Sequence, residues 1–505
     1  MKFLLGFIIP ILSYFFQVYP RIFNRYFGID VWKRMIEADI IRKNKHHIPK
    51  GVVQNGFIIE GYFDYPPVFP WLLSFIPKKI LLQIQGFIAP IFDCIQNYLV
   101  FLITLQLSNR VDIALIAQVI YFSTPIAALE NSYLTPRSLG YLNFTLAFYP
   151  ILMYQQTHAL PYLYLGYIFT TLIFFSHRFP TQALLFISIF FTIIDRDLIY
   201  LSNYLVAFIT AIIISRGYYL KVLKGHLTLI YFWILNYKFR FAHQIRGNFS
   251  NDKSNKMDFV SFIYYLLSTF TPISLIATNI WLCAPIAYVI DKYAKLNLIP
   301  IDNPLFLKMS LWVVFFYILS TVVLSIKYFI PIGEGQRYLE MALVPTSILA
   351  AMILSAFLNT PYKTTAIIIY LSILIINILL TIYAQWKGVI TDKSRSLTKE
   401  LPGIFSYLNQ LKYRPRIICV PHAMNLIFLY NTKVDALVDI EVSGLLQLQE
   451  VFPILRTSIK DLAKKYDLNL LILKKSYANA EELKIPVRRL LKDVGDIQIY
   501  NVKNL

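Results

Sequence analysis

The 505 residues are 57% hydrophobic and 15% charged, with a mean hydropathy of +0.56. Soluble domains run roughly 45–50% apolar and about 25% charged, so the excess has no place in a water-soluble core, and collagen-like, disordered and disulfide-scaffold chains are excluded with it. A formal net charge of +20 asks for an anionic partner, either membrane lipid headgroups or a phosphate-bearing substrate; nucleic acid is set aside because no recognisable binding module accompanies the charge.

The first apolar segment, Phe3 to about Tyr19, follows a single Lys2 and lacks a small-x-small cleavage site, which predicts a retained first span. A polar loop then runs over 21–77. Within it Asp30 to Asn44 has helical character, with Val31, Met35, Ala38 and Ile41 near one face. The loop closes in Gly61-Tyr62-Phe63-Asp64-Tyr65-Pro66-Pro67-Val68-Phe69, where paired prolines forbid a regular helix. Spans are expected at 86–107, 112–129, 137–154, 161–176, 181–195 and 197–215, joined by short connections. A second basic, aromatic stretch from Arg216 to Asp258 reads in part as a helix lying in the interface. Spans at 259–281, 304–327, 341–358 and 365–385 complete a set of about eleven.

From Lys387 charge becomes dense and the long apolar runs stop. Strands are expected at Ile417–Val420, Leu468–Leu473 and Ile497–Tyr500, and helices at Leu401–Leu411, Val451–Tyr466 and Val487–Val494, an alternation that implies a small α/β domain. No Gly-rich loop follows any strand, so no nucleotide site is expected there. The fold class is thus an α-helical polytopic membrane domain over 1–386 followed by a soluble α/β domain over 387–505. The three cysteines, Cys94, Cys283 and Cys419, lie far apart and show neither zinc spacing nor a disulfide framework.

With the N-terminus inside, eleven spans gather the feature-rich segments on one, outer face: Arg21–Pro77, Glu130–Pro136, His177–Pro180, Arg216–Asp258, Pro331–Glu340 and the C-terminal domain. That face is also the more basic one, so a simple count of Lys and Arg in short loops would invert the molecule; long loops are partly exempt from that rule.

Charges near span ends are costly and invite a functional reading. Asp30 opens the first loop, either as a helix cap or as a general base able to reach an acceptor hydroxyl. Glu130 ends the third span, either as an interfacial anchor paired with Arg137 or as a second acid serving as metal ligand or acceptor positioner. Two or three acids are few for a divalent cation, so a metal cofactor stays open. His177 and Arg178 share a tight turn that is either merely solvated or a phosphate contact, for which Arg has the planar fork. Gly333-Glu334-Gly335-Gln336-Arg337-Tyr338-Leu339-Glu340 precedes an apolar span. Its glycines permit close backbone approach and Arg337 can grip phosphate, whereas the bland reading is a helix-spaced Arg337–Glu340 pair. His46-His47 is discounted as a metal pair, because adjacent helical residues do not share a face.

A first span, then a long loop that opens with Asp30 and closes in Tyr65-Pro66-Pro67-Val68-Phe69, then Glu130 and a terminal soluble domain, resembles the GT-C superfamily of membrane glycosyltransferases. The pattern is similar to the bacterial protein-mannosyltransferase-like and aminoarabinose-transferase-like proteins. The family commonly shows paired acids in the first loop; here Asp30 is followed by Val31, which leaves metal dependence open. The resemblance implies a polyprenyl-phosphate-linked sugar donor, an outward-facing site in a bacterial or archaeal plasma membrane, inverting displacement at the anomeric carbon, and a glycan, lipid or protein acceptor. Asp30 and Glu130 would be catalytic, and Arg337, Glu334, Glu340, Arg137, His177, Arg178 and Tyr65 would bind substrate, with Asp30, Glu130 and Arg337 around one cavity. The rivals are a lipid-linked oligosaccharide flippase or other transporter, against which the absence of internal repeats speaks, and a polysaccharide polymerase.

Overall fold

The structure, a computed structural model, describes residues 2–28, 30–53, 56–130, 133–240, 242–247, 271–392 and 396–505, with Glu130 and Pro272 described by their backbone alone. The chain divides into two compact units. One comprises Met1–Arg25, Ile84–Tyr219 and Met257–Asp392; the other comprises Tyr26–Gln83, Leu220–Lys256 and Lys393–Leu505.

The first unit is helical. Lys2–Phe23, Ala89–Ser108, Arg178–Asp195, Pro304–Ser325, Gly335–Phe357 and Lys363–Ile390 are long and apolar enough to cross a membrane. Ile199–Ile214 with Tyr218–Phe239 adds a seventh if the pair is one broken span, and Val111–Ser123 and Leu160–Ser176 are shorter apolar helices. Arg137–Thr157 has the length, at 21 residues, but Arg137, Asn143, Gln155 and Gln156 make it more polar. Most of its side chains are buried, as expected of a helix held inside a bundle. Lys363–Gln385 is the reverse: Ile368, Ile369, Leu371, Ile375 and Leu379 are exposed. A helix this apolar facing outward fits hydrocarbon, since all its backbone groups are bonded internally. The chain is a multi-pass integral membrane protein in its helical part. Turns between successive helices are tight because Asn109, His158 and Arg196 adopt left-handed backbone, with φ of 52, 54 and 53°. The buried Asp93 carboxylate is met internally, accepting from Gln17 at 2.5 Å and from the Tyr121 hydroxyl at 2.6 Å.

Of the expected span over 259–281, residues 259–270 lie outside the described residues, and the remainder forms the helix Pro272–Thr278. The connection left between the expected spans 259–281 and 304–327 is half helical, Cys283–Tyr293. Asp291 stops it by turning its carboxylate to the backbone N–H of Leu298 at 2.7 Å.

The second unit is α/β. Strands β1 (Val52–Val53) and β2 (Gly61–Tyr62) form an antiparallel pair. The main sheet comprises β3 (Arg416–Val420), β4 (Asp435–Ala436), β5 (Leu470–Lys474), β6 (Leu490–Val494) and β7 (Ile497–Asn501), in the order β4-β3-β5-β7-β6. β4 and β5 are parallel to β3, while β7 is antiparallel to both β5 and β6. β3 and β5 are continuous apolar runs, as a sheet covered on both faces demands. Residues of the first loop extend the β4 edge: the Ile58 N–H donates to Ala436 O at 2.9 Å and the Ala436 N–H to Gly56 O at 2.8 Å. The loop is therefore part of the α/β fold.

Leu401–Gln410 is helical as expected. Of Val451–Tyr466 only Ile459–Tyr466 is helical, because Ser458 caps it by accepting from the Asp461 N–H. The expected helix Val487–Val494 is corrected: a single turn, Val487–Arg489, leads into β6, paired with β7. Its residues 487, 490, 491 and 494 have helical spacing, but Gly495-Asp496 forms a two-residue hairpin turn, Gly495 at φ 57°.

Candidate functional site

In the helical unit, the basic residues singled out in the sequence fall at helix starts. Arg137 is the first residue of Arg137–Thr157, and its guanidinium donates to the Tyr133 hydroxyl at 2.9 Å. The Arg21 guanidinium lies 5.9 Å from the same Tyr133 ring, within cation–π reach. His177 caps the next helix start, its Nδ1 accepting from the Phe179 N–H at 3.1 Å. Gly140 lets the two starts touch: a Cβ there would meet Pro180 at 2.8 Å and His177 at 2.9 Å.

The Gly333 loop packs on that second start. Gly333 has φ of 139°, and a Cβ on it would stand 2.1 Å from the Phe179 ring. A Cβ on Gly335 would meet Ser320 O at 2.6 Å. The close approach these glycines permit is thus to the protein's own side chains and backbone. Tyr338 packs against Phe179, ring centroids 4.6 Å apart and tilted, and receives a hydrogen bond from Gln182 at 2.8 Å. Arg337 pairs with Glu334 at 2.7 Å, one turn earlier. Glu340 is buried, and Glu340, Arg137 and Arg337 all act electrostatically on the buried Tyr141 hydroxyl. The structure thus gathers Arg137, Arg337, Glu334 and Glu340, with the His177–Arg178 turn beside them through Phe179. Arg137 and Glu340 are buried and Arg337 and Glu334 partly buried, and guanidinium groups of this kind can hold a phosphate in the bidentate geometry Arg favours. The side chain of Glu130 lies outside the described residues.

Asp30 and Tyr65 belong to the α/β unit. Asp30 is the exposed first residue of the helix Asp30–Lys43, where a carboxylate is favoured by the helix dipole. Beyond it the helix is buried on nearly every side, and Trp32, Met35 and Ile41 each contribute about 1.5–3 kcal/mol by leaving water. Its charges are paired over long sequence separations. Arg34 donates to Glu37 at 2.6 Å and Glu441 at 3.0 Å, and Lys33 pairs with Glu441 at 3.2 Å. The Arg34 guanidinium also lies 4.0 Å over the Tyr65 ring and within the field of Asp30. Asp64 accepts from the Val442 N–H at 3.2 Å, and a Cβ on Gly225 would touch its carboxylate at 2.5 Å.

Two cations, Lys33 and Arg34, thus face four buried carboxylates, Glu37, Asp64, Asp439 and Glu441. Burial makes the charged form of a carboxyl costly, and Glu37 and Asp439 respond by holding their protons. Burial raises the Glu37 carboxyl well above its ordinary range against the pull of Arg34, with Glu441 adding to the rise. Burial pushes Asp439 up to about 7, opposed by Lys33 and aided by Glu441 and Asp64. These partners of the Asp30 helix escaped sequence reasoning, although Asp64 stands inside the quoted Tyr-Pro-Pro segment. Among the described residues, no group of three or more His, Cys, Asp or Glu side chains is placed to hold a metal ion.

No protein-family model matches the chain, and no curated protein matches it by sequence. Its fold does match solved structures. The crystal structure of ArnT from Cupriavidus metallidurans bound to undecaprenyl phosphate superposes with a TM-score of 0.56 at 12% identity, covering 99% of this chain and 98% of that one. The same protein in the apo state gives 0.58 at 10% identity, covering 99% and 97%. At this identity the likeness shows the fold, which is that of the ArnT structures.

Proposed function

We propose that the chain is an integral membrane glycosyltransferase that moves a sugar from a polyprenyl-phosphate donor to a lipid-linked, glycan or protein acceptor on the outer face. The observation that carries this reading is the likeness to ArnT over nearly the full length of both chains, one of those structures having undecaprenyl phosphate bound. The guanidinium cluster of the helical unit supports it, since a departing polyprenyl phosphate is the kind of anion such a cluster holds.

In this reading Asp30 and Glu130 are the catalytic acids that the first-loop resemblance implies. The acceptor hydroxyl attacks the anomeric carbon, the bond from that carbon to the phosphate oxygen breaks, and configuration inverts. Asp30 takes the hydroxyl proton, and the phosphate leaves with the bonding pair. Arg337, with Arg178 and Arg137, stabilises the charge that develops on it, the usual largest contribution in such transfers. Glu334 and Glu340 orient these cations, and Tyr65 and His177 line the substrate.

The test is transfer of radiolabelled sugar from a panel of polyprenyl-phosphate sugars to endogenous membrane acceptors. Asp30→Asn keeps a side chain tolerated in the first turn, so the protein should fold normally while turnover falls about 10²–10⁴-fold. Full turnover in the Asn variant would remove Asp30 from catalysis. Movement of the lipid-linked sugar across the bilayer with its phosphate bond intact would favour a flippase instead.

A further inference from the structure

The α/β unit contains a cleft of about 560 Å³ that the transfer reaction does not use. It runs along the C-terminal half of the helix Asp30–Lys43, and neither Lys33 nor Arg34 lines it. Its floor is apolar and buried, formed by Ile36, Ile40, Leu408 and Val434. Its rim is cationic: Lys43, Lys78, Lys412, Arg414 and Lys433 all line it, against one lining carboxylate, Asp39. That carboxylate is already taken by Arg42 and by Lys78 at 2.9 Å, and Arg414 is held by Asp435 at 2.8 Å. Among the described residues Lys43, Lys412 and Lys433 have no carboxylate within ion-pair distance.

Three uncompensated ammonium groups around a recess with an apolar floor focus a positive potential into it. The volume falls in the range of small-ligand sites, about 300–1,000 Å³. Tyr413, also in the lining, is 54% exposed and offers an open aromatic face, whereas the Tyr430 ring is covered by Lys78 at 4.4 Å. An aromatic face takes the C–H side of a sugar ring, and ammonium groups bond the acidic substituent and ring hydroxyls. A lipid surface would call for the cations to stand on a convex or flat patch; here they encircle a concavity.

We infer that this cleft binds an anionic carbohydrate, a sugar ring carrying phosphate or carboxylate. The inference is independent of the transferase reading, and its test reads binding rather than turnover. The full-length protein in detergent is titrated calorimetrically with trigalacturonate, glucose 1-phosphate, maltotriose and inorganic phosphate. One or both acidic sugars should bind saturably, with maltotriose much weaker, and the preference between the two identifies carboxylate or phosphate as the natural substituent. Lys412→Glu with Lys433→Glu should weaken the binding at least tenfold. Tyr413→Ala should weaken the acidic sugar while sparing inorganic phosphate. All three positions are exposed, and an unchanged melting temperature checks the fold; Lys412→Gln alone, losing a smaller factor, serves if the double variant does not fold. No saturable binding of either acidic sugar, or binding indifferent to the charge reversals, overturns the inference. Inorganic phosphate binding as tightly as glucose 1-phosphate, with no effect of Tyr413→Ala, reduces the cleft to a bare anion site and overturns it equally.

Discussion

Replacing Glu441 by Gln tests whether the charge network fixes the helix that carries Asp30. Glu441 is buried and accepts from Arg34 at 3.0 Å and Lys33 at 3.2 Å, residues more than 400 positions earlier in the chain. Removing one partner of a buried ion pair costs about 3–5 kcal/mol. Three features place this case at the low end. Arg34 keeps Glu37 at 2.6 Å, the Gln carbonyl still accepts one hydrogen bond, and one of four crowded carboxylates is gone. A loss of about 2–3 kcal/mol is expected, read from denaturant or thermal unfolding of the α/β unit in the full-length protein. A double-mutant cycle with Lys33→Met isolates the pair, because removing both partners leaves no uncompensated charge; the double variant should be more stable than the sum of the singles predicts. Turnover should fall with stability, because the loosened helix carries Asp30. A Glu441→Gln protein that unfolds like the wild type, or a cycle with zero coupling, would refute the reasoning.

Three further outcomes are expected. If Arg337 grips the donor phosphate, both Arg337→Lys and Arg337→Ala should lose about 2–4 kcal/mol of transition-state stabilisation, because a point charge cannot make the two-pronged contact; wild-type rates in the Lys variant would reduce Arg337 to the partner of Glu334. The raised Asp439 carboxyl binds its proton more tightly in the folded state, so its contribution to stability is full below about 4 and is lost as pH rises to about 7; Asp439→Asn should flatten the fall in melting temperature across that window. Gly333→Ala combines a left-handed backbone with a Cβ 2.1 Å from the Phe179 ring, and should cost about 1–3 kcal/mol, read as a lower melting temperature; an unchanged one would mean the Gly333 loop is free to move.

What the sequence disclosed and what it hid follow from the range of each interaction. Apolar runs and β3, β5 and β7 are local signals, and helices or strands stand where they predict. The misread β6 shows the limit of a periodicity argument: residues 487, 490, 491 and 494 satisfy the helix template, and only the Gly495-Asp496 turn after them favours a hairpin. The helix Met424–Asn431 was too short to announce itself. The residues around the Asp30 helix were hidden for a different reason. Lys33 and Arg34 find Glu441, and Ile58 finds Ala436, across nearly four hundred residues or more. A single sequence carries no trace of such pairings. The same long reach makes the first loop part of a sheet, although its composition reads as a polar connection.

The positive excess can be weighed again once burial is known. Basic residues that merely anchor span ends keep their charged heads in water and bury only their stems. Arg21, Arg137 and Arg178 do otherwise: their exposures are 0, 5 and 7%. Taking a guanidinium out of water costs several kcal/mol even after relaxation, and an anchor gains nothing that would offset it. Tyr133 beneath Arg21 and Arg137 returns a part through its ring and hydroxyl. In the α/β unit the opposite holds at the cleft, where Lys412 and Lys433 stay exposed and cost nothing until a ligand arrives. The proposed function gives the buried set an anion to hold and the proposed cleft gives the exposed set one to capture from solution, and the substitutions at Lys412 with Lys433 address the second alone.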